Sequence, residues 1–256
     1  DTDIVGLFNV SGNTGISGTV DILGDTGISG NTTISGNTHI TGLFDVVGNT
    51  TISGTTYISG DTDIVGLFNV SGNTGISGTV DILGDTGISG NTTISGNIHI
   101  TGLFDVVGNT TISGSTYISG DTDIVGLFNV SGHTGISGTV DVLGDTGISG
   151  NTTISGNTHI TGLFDVVGNT TIRGTTYISG DTDIVGLFNV LGNTGISGTV
   201  DIIGNTKIIG DTTIKGNNII SGTLNVSDNA IFLKSVEIKQ NITVDGNLTV
   251  SGTIYE

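Results

Sequence analysis

The 256-residue chain has no cysteine, proline, methionine or tryptophan. Without cysteine it can form neither disulfides nor thiolate metal sites. Without proline, and with glycine at every sixth residue, it is not collagen-like. Basic residues are almost as scarce: five stand against 23 acidic ones, giving a formal charge of −18, and neither Lys nor Arg occurs before Arg173. The cationic footprint that nucleic-acid binding requires is therefore missing, and an anionic membrane repels such a surface. No apolar run approaches the ~20 residues of a membrane helix, so a soluble chain is expected. It opens at Asp1 without an initiator Met, which suggests a processed product or a piece of something longer. Charged residues make up only 11% of the sequence against 34% hydrophobic ones, which argues against charge-rich disorder.

What is abundant is glycine, 46 in all, together with Thr, Ser, Asn, Ile and Val. These residues are ordered on nested scales. A 60-residue unit opens at Asp1, Asp61, Asp121 and Asp181, and within it runs a hexad of the form x-T-x-I-x-G. Counted from Asp1 there are 42 full hexads without an insertion or deletion. Position 4 is Ile or Val in 41 of them, and position 6 is Gly in 39. Odd hexads mostly open with Asp or Asn, and even ones with Leu, Thr or Asn.

Positions 2 and 4 lie two apart, so an extended strand points both to one face and positions 3 and 5 to the other. β-branched residues at 2 and 4 suit a packed, pleated surface, and Gly at position 6 allows the φ > 0 of a sharp corner. A helix is excluded, because a period of two leaves no helical stripe and each interior Gly costs about 1 kcal/mol. The copies supply their own substitution test. Thr38 becomes Ile98 at an inward position, whereas Ser53 becomes Arg173 and Gly27 is matched by Lys207 at outward ones. All five basic residues fall at positions 3, 5 or 6. Thr2, Ile4, Phe8, Val10, Thr14 and Ile16 are accordingly expected to be buried, with each inward Thr hydroxyl paired along its ladder.

Six-residue spacing without an indel predicts an all-β parallel β-solenoid of stacked short strands with Gly corners. The expected unit is a 12- or 18-residue coil, in a single chain or in an intertwined or laterally associated oligomer. Thr32-Thr33-Ile34 and Thr50-Thr51-Ile52 resemble the hexapeptide-repeat left-handed β-helix family, which places a small residue two before an inward aliphatic. The C-terminal run from Asn241 to Ile254, containing Gly-Asn-Leu-Thr-Val-Ser-Gly-Thr, is similar to segments of fibre and appendage proteins of phages and large viruses. The resemblances imply a β-helical fibre protein on a virion or cell surface. Residues 1–222 read as a regular shaft. Residues 223–256 form divergent C-terminal coils, a cap or an assembly end, where Gly gives way at Asp228, Lys234 and Gln240.

No catalytic residue or cofactor is expected. His39, His99 and His159 recur at outward position 3, His133 replaces a corner Asn, and no loop insertion exists to carry chemistry. The weak Ca²⁺ candidates are Asp1, Asp3, Asp61 and Asp63, carboxylates close together at recurring corners. The solvation reading is that corner Asp residues keep the surface soluble, spaced so that like charges avoid adjacent rungs. Asn31-Thr-Thr and Asn49-Thr-Thr match glycosylation sequons, which an Asn-Thr repeat generates automatically. Leu7, Leu43, Leu67 and Leu103 at corners, Val5, Leu23 and Val47 at outward position 5, and Tyr57 and Tyr117 at position 3 recur with the 60-residue unit. Recurring exposed apolar residues suggest an assembly seam, with the leucines and tyrosines as its candidates. The expected function is a structural repeat protein forming a stiff fibre, filament or stalk shaft through self-association, without membrane insertion. The alternative is an extracellular binding module: an adhesin that recognises surface glycans through outward Tyr and Asp, or an ice-binding face of Thr rows.

Overall fold

A computed structural model of the chain describes residues 1–244 and 248–250. The chain is an all-β parallel β-solenoid, with no helix among the described residues. Each strand spans three or four residues and starts at position 2 of its hexad, as in Thr2–Val5, Phe8–Val10 and Thr14–Ile16. Each pairs in parallel with the third strand after it in the chain: Thr2 lies opposite Val20, Phe8 opposite Thr26 and Thr14 opposite Thr32. A coil is therefore three hexads, with one strand from each. The 12-residue coil is ruled out, and the pairing joins strands 18 residues apart in the chain.

Two compact units are present, Asp1–Leu127 and Phe128–Glu256. In the first unit three parallel sheets form. The first sheet starts at Thr2–Val5, the second at Phe8–Val10 and the third at Thr14–Ile16. The second unit repeats the plan from Phe128–Val130 onwards. Its divergent segment keeps the same pairing, with Leu224 opposite Thr206, Ala230 opposite Thr212 and Val236 opposite Asn218. Asp245–Asn247 and residues 251–256, which complete the fibre-like C-terminal run, lie outside the described residues.

The core follows the hexad. Positions 2 and 4 supply the buried side chains, and Phe44, Phe68 and Phe104 are only 1% exposed. A three-strand coil has room for these rings. The first coil departs from expectation: Thr2, Ile4, Phe8, Val10, Thr14 and Ile16 are only half-buried, whereas their counterparts Thr62, Ile64, Phe68, Val70, Thr74 and Ile76 are buried.

The inward threonines also depart from expectation. Thr50, Thr110 and Thr170 are fully buried, yet their Oγ1 atoms have no hydrogen-bond partner, and the same holds at most inward Thr positions. Rungs stack about 4.8 Å apart, too far for one hydroxyl to reach the equivalent hydroxyl above it. The backbone acceptors are already engaged between coils, as in the Thr50 N–H donating to Leu67 O at 2.7 Å.

The glycine corners have two causes, of which the sequence suggested one. Among the described residues, ten strands run to a fourth residue. Each ends on Val, Leu or Ile at position 5, and the Gly that follows has positive φ, as at Gly48 (149°) and Gly66 (142°). The extension adds an inter-coil bond, such as the Gly48 N–H donating to Val65 O at 2.9 Å. Leu143 is an exception, its strand stopping at Val142. Most other corner glycines need no positive φ. A Cβ at Gly54, for example, would stand 2.6 Å from the Gly36 carbonyl of the preceding coil, so close coil packing excludes side chains there.

Candidate functional site

The three-hexad coil decides which outward residues share a column. In the first unit, position 3 of the first sheet reads Asp3, Asp21, His39, Tyr57 and Gly75 on successive rungs. The second sheet carries Asp45, Asp63, Asp81, His99 and Tyr117. The same order thus moves to the next sheet from one 60-residue copy to the next, because ten hexads make three full coils plus one strand. The second unit contains Asp141, His159 and Tyr177 in one column and Asp165, Asp183 and Asp201 in another.

At strand position 3, which the expectation for corner Asp did not cover, aspartates do stack on adjacent rungs. The expected spacing holds at corner position 1. Burial raises the Asp63 pKa above its ordinary 3.8, and the charges of Asp81, Asp45 and Asp61 push it further the same way. Asp183 is raised in the same manner, by burial first and then by Asp165, Asp201 and Asp181. In three columns the His that follows the aspartates brings its Nδ1 to the preceding Asp Oδ1: His39 with Asp21 at 3.0 Å, His99 with Asp81 at 3.1 Å and His159 with Asp141 at 3.1 Å. Both partners are about half exposed in each pair, so solvent screens the attraction.

Corner Asp and Asn residues act as caps. The Thr19 N–H donates to Asp1 Oδ1 at 3.0 Å, the Thr79 N–H to Asp61 Oδ1 at 2.7 Å and the Leu43 N–H to Asp25 Oδ1 at 2.9 Å. Asn13, Asn31 and Asn49 form a run of such bonds, each accepting from the corner amide one coil on. His133 keeps the role of the Asn it replaces, since its Nδ1 accepts from the Asn151 N–H at 2.9 Å. The side chain at position 1 is thus selected as an acceptor as well as for solubility. Of the Ca²⁺ candidates, Asp1 and Asp61 are engaged in this way, and Asp3 and Asp63 lie in the outward columns. No group of three metal-ligating side chains occurs among the described residues.

Tyr57 lies over Gly75, where a Cβ would stand 2.8 Å from the ring, and Tyr177 covers Gly195 in the same way. An aromatic side chain over a cross-strand glycine covers backbone that the glycine leaves bare. Beside Tyr57 and Gly75 lies an open groove of about 350 Å³, floored by Ile58 and Ile76 and edged by serines. Outward threonines come in short runs, such as Thr33 and Thr51, flanked in their column by Gly15 and Asn69.

The seam candidates do not share one line. Leu7 and Leu43 precede second-sheet strands, whereas Leu67 and Leu103 precede third-sheet strands. Tyr57 lies on the first sheet and Tyr117 on the second. Leu7 is 64% exposed in the first coil, but Leu43 and Leu103 are half-buried. Compared with protein-family models, with curated proteins and with solved structures, the chain gives no match.

Proposed function

We propose that this chain is a structural repeat protein that forms the shaft of a fibre, filament or stalk on a virion or cell surface, and that it carries no catalytic chemistry. The observation that supports this reading is the indel-free hexad, which builds coil upon coil in register with no inserted loop to hold a site. Adding a 60-residue copy adds three and a third coils and alters nothing else in the local pattern, so copy number sets length. Self-association follows from the small core of such a coil, which has no disulfide to support it. The exposed tyrosines and the groove beside Tyr57 favour the binding-module alternative, with glycan rings lying against exposed Tyr faces. Immunogold labelling of the native source tests the shaft reading. Label along fibres on a particle or cell surface is expected, and label confined to free soluble protein would overturn it.

A further inference from the structure

The apolar residues at outward position 5 form columns that the sequence alone could not align. Val47, Val65 and Leu83 sit on three adjacent rungs of the second sheet, in register. Val5 and Leu23 pair on the first sheet, and Val107 and Val125 pair on the third. In the second unit Val167, Val185 and Ile203 form the equivalent three-rung column. Each of these side chains is about half exposed or more, 49% at Val65 and 55% at Leu83. The coil does not need them, because Ser occupies position 5 in half of the hexads and, among the described residues, is followed by a corner without positive φ. At these ten aliphatics the strand lengthens by a residue and the following Gly takes a positive φ, so a distinct local surface is built around them.

We infer that these position-5 columns are the surface through which one copy of this chain meets another, side by side. The inference rests on the self-associating shaft reading and moves its contact from the corner leucines to these columns. The occupant is a second copy for two reasons. Identical columns share the ~4.8 Å rung spacing, so their side chains interdigitate over several rungs. The first unit also shows a column on each of its three sheets, an arrangement that copies with the same spacing satisfy together. One three-rung column offers less apolar surface than the largest patch on an ordinary monomer, roughly 300–600 Å². A stable pairwise interface needs ~800 Å² per partner, so single contacts are weak and several act together. The neighbouring Asp45, Asp63 and Asp81 oppose the approach of another acidic chain, which makes the contact depend on salt.

The test is sedimentation velocity of the full chain at rising concentration, in 0.05 M and 1 M salt. In 1 M salt, where the screening length is ~3 Å, the wild type is expected to sediment increasingly as assemblies above a threshold concentration. The variant carrying Val47→Ser, Val65→Ser and Leu83→Ser, with the counterparts in the other copies changed likewise, is expected to lose the fast-sedimenting fraction while keeping its β circular dichroism. A matched variant with Leu7, Leu43, Leu67 and Leu103 changed to Thr is expected to retain assembly. Assembly that survives the serine changes overturns the inference. So does a wild-type chain that stays single in 1 M salt, including one that sediments only with added oligolysine, which would make a cationic partner the occupant. Electron microscopy of chains with different numbers of 60-residue copies, in the same 1 M salt, separates the two readings: single chains that still lengthen with copy number would overturn the lateral surface and leave the shaft reading standing.

Discussion

Replacing inward threonines with valine is expected to strengthen the fold, against the general rule that core substitutions weaken it. Thr50, Thr110 and Thr170 are fully buried, and their hydroxyls have no partner. A buried hydroxyl left unpaired costs about 1–3 kcal/mol, and an apolar group of the same shape removes that cost. The position already accepts the change, since Val20, Val80, Val140 and Ile98 stand at position 2 elsewhere and are buried. The three sites share no partners, so their effects add. Taking ~1 kcal/mol each, the triple Thr→Val variant gains about 3 kcal/mol. With a guanidinium m-value of about 5 kcal/mol/M, the unfolding midpoint rises by roughly 0.6 M. The assay is guanidinium unfolding followed by circular dichroism, with the m-value checked for constancy. Thr→Ala at the same sites serves as a control and is expected to destabilise by leaving cavities. A triple valine variant with an unchanged or lowered midpoint would mean that the hydroxyls are paired, and would refute the reasoning.

Three further outcomes are expected. The raised Asp63 and Asp183 pKa values mean that the folded state holds these protons more tightly than the unfolded chain, so their contribution is present at low pH and is lost as pH rises through the folded values. The melting temperature should therefore rise as pH falls from 7 towards the ordinary carboxylate value of 3.8, and Asp63→Asn with Asp183→Asn should raise it at pH 7 and flatten the slope; a slope unchanged by the pair contradicts the stacking argument. His133→Leu removes the acceptor for the Asn151 amide, so hydrogen-exchange protection at Asn151 should fall in that variant and persist in His133→Asn. Gly54→Ala should destabilise by about 1–3 kcal/mol through overpacking against the Gly36 carbonyl, whereas Gly15→Ala, with nothing within 4 Å of the added Cβ, should be close to neutral in thermal melting.

The inside and outside of each strand were legible in the sequence because a period of two has only one physical reading once Gly punctuates every sixth residue. Thr38 and Ile98 share one buried site, and all five basic residues are exposed. Coil size was not legible, since two hexads and three hexads fit the same punctuation and the alternation of odd and even hexads favoured the smaller. Without coil size no column could be assigned. Asp45, Asp63 and Asp81 are far apart in a linear reading and become neighbours only when three hexads close a coil. The recurring Asp-Val-Val, Asp-Ile-Val and Asp-Ile-Leu strings at that spacing were the available signal. The same gap made Leu7 and Leu67 look like one seam, although a shift by one 60-residue copy carries a residue to the next sheet. The cause of most glycines was also hidden, because it lies in the carbonyl of the preceding coil and not in the local backbone angle.

The most direct test of the account is the length of chains carrying different numbers of 60-residue copies, measured by electron microscopy. Ten hexads at three per coil and ~4.8 Å per rung predict about 16 Å added per copy, at constant width. An increment of about 24 Å would indicate the 12-residue coil, and a particle that widens without lengthening would contradict a shaft whose length is set by copy number.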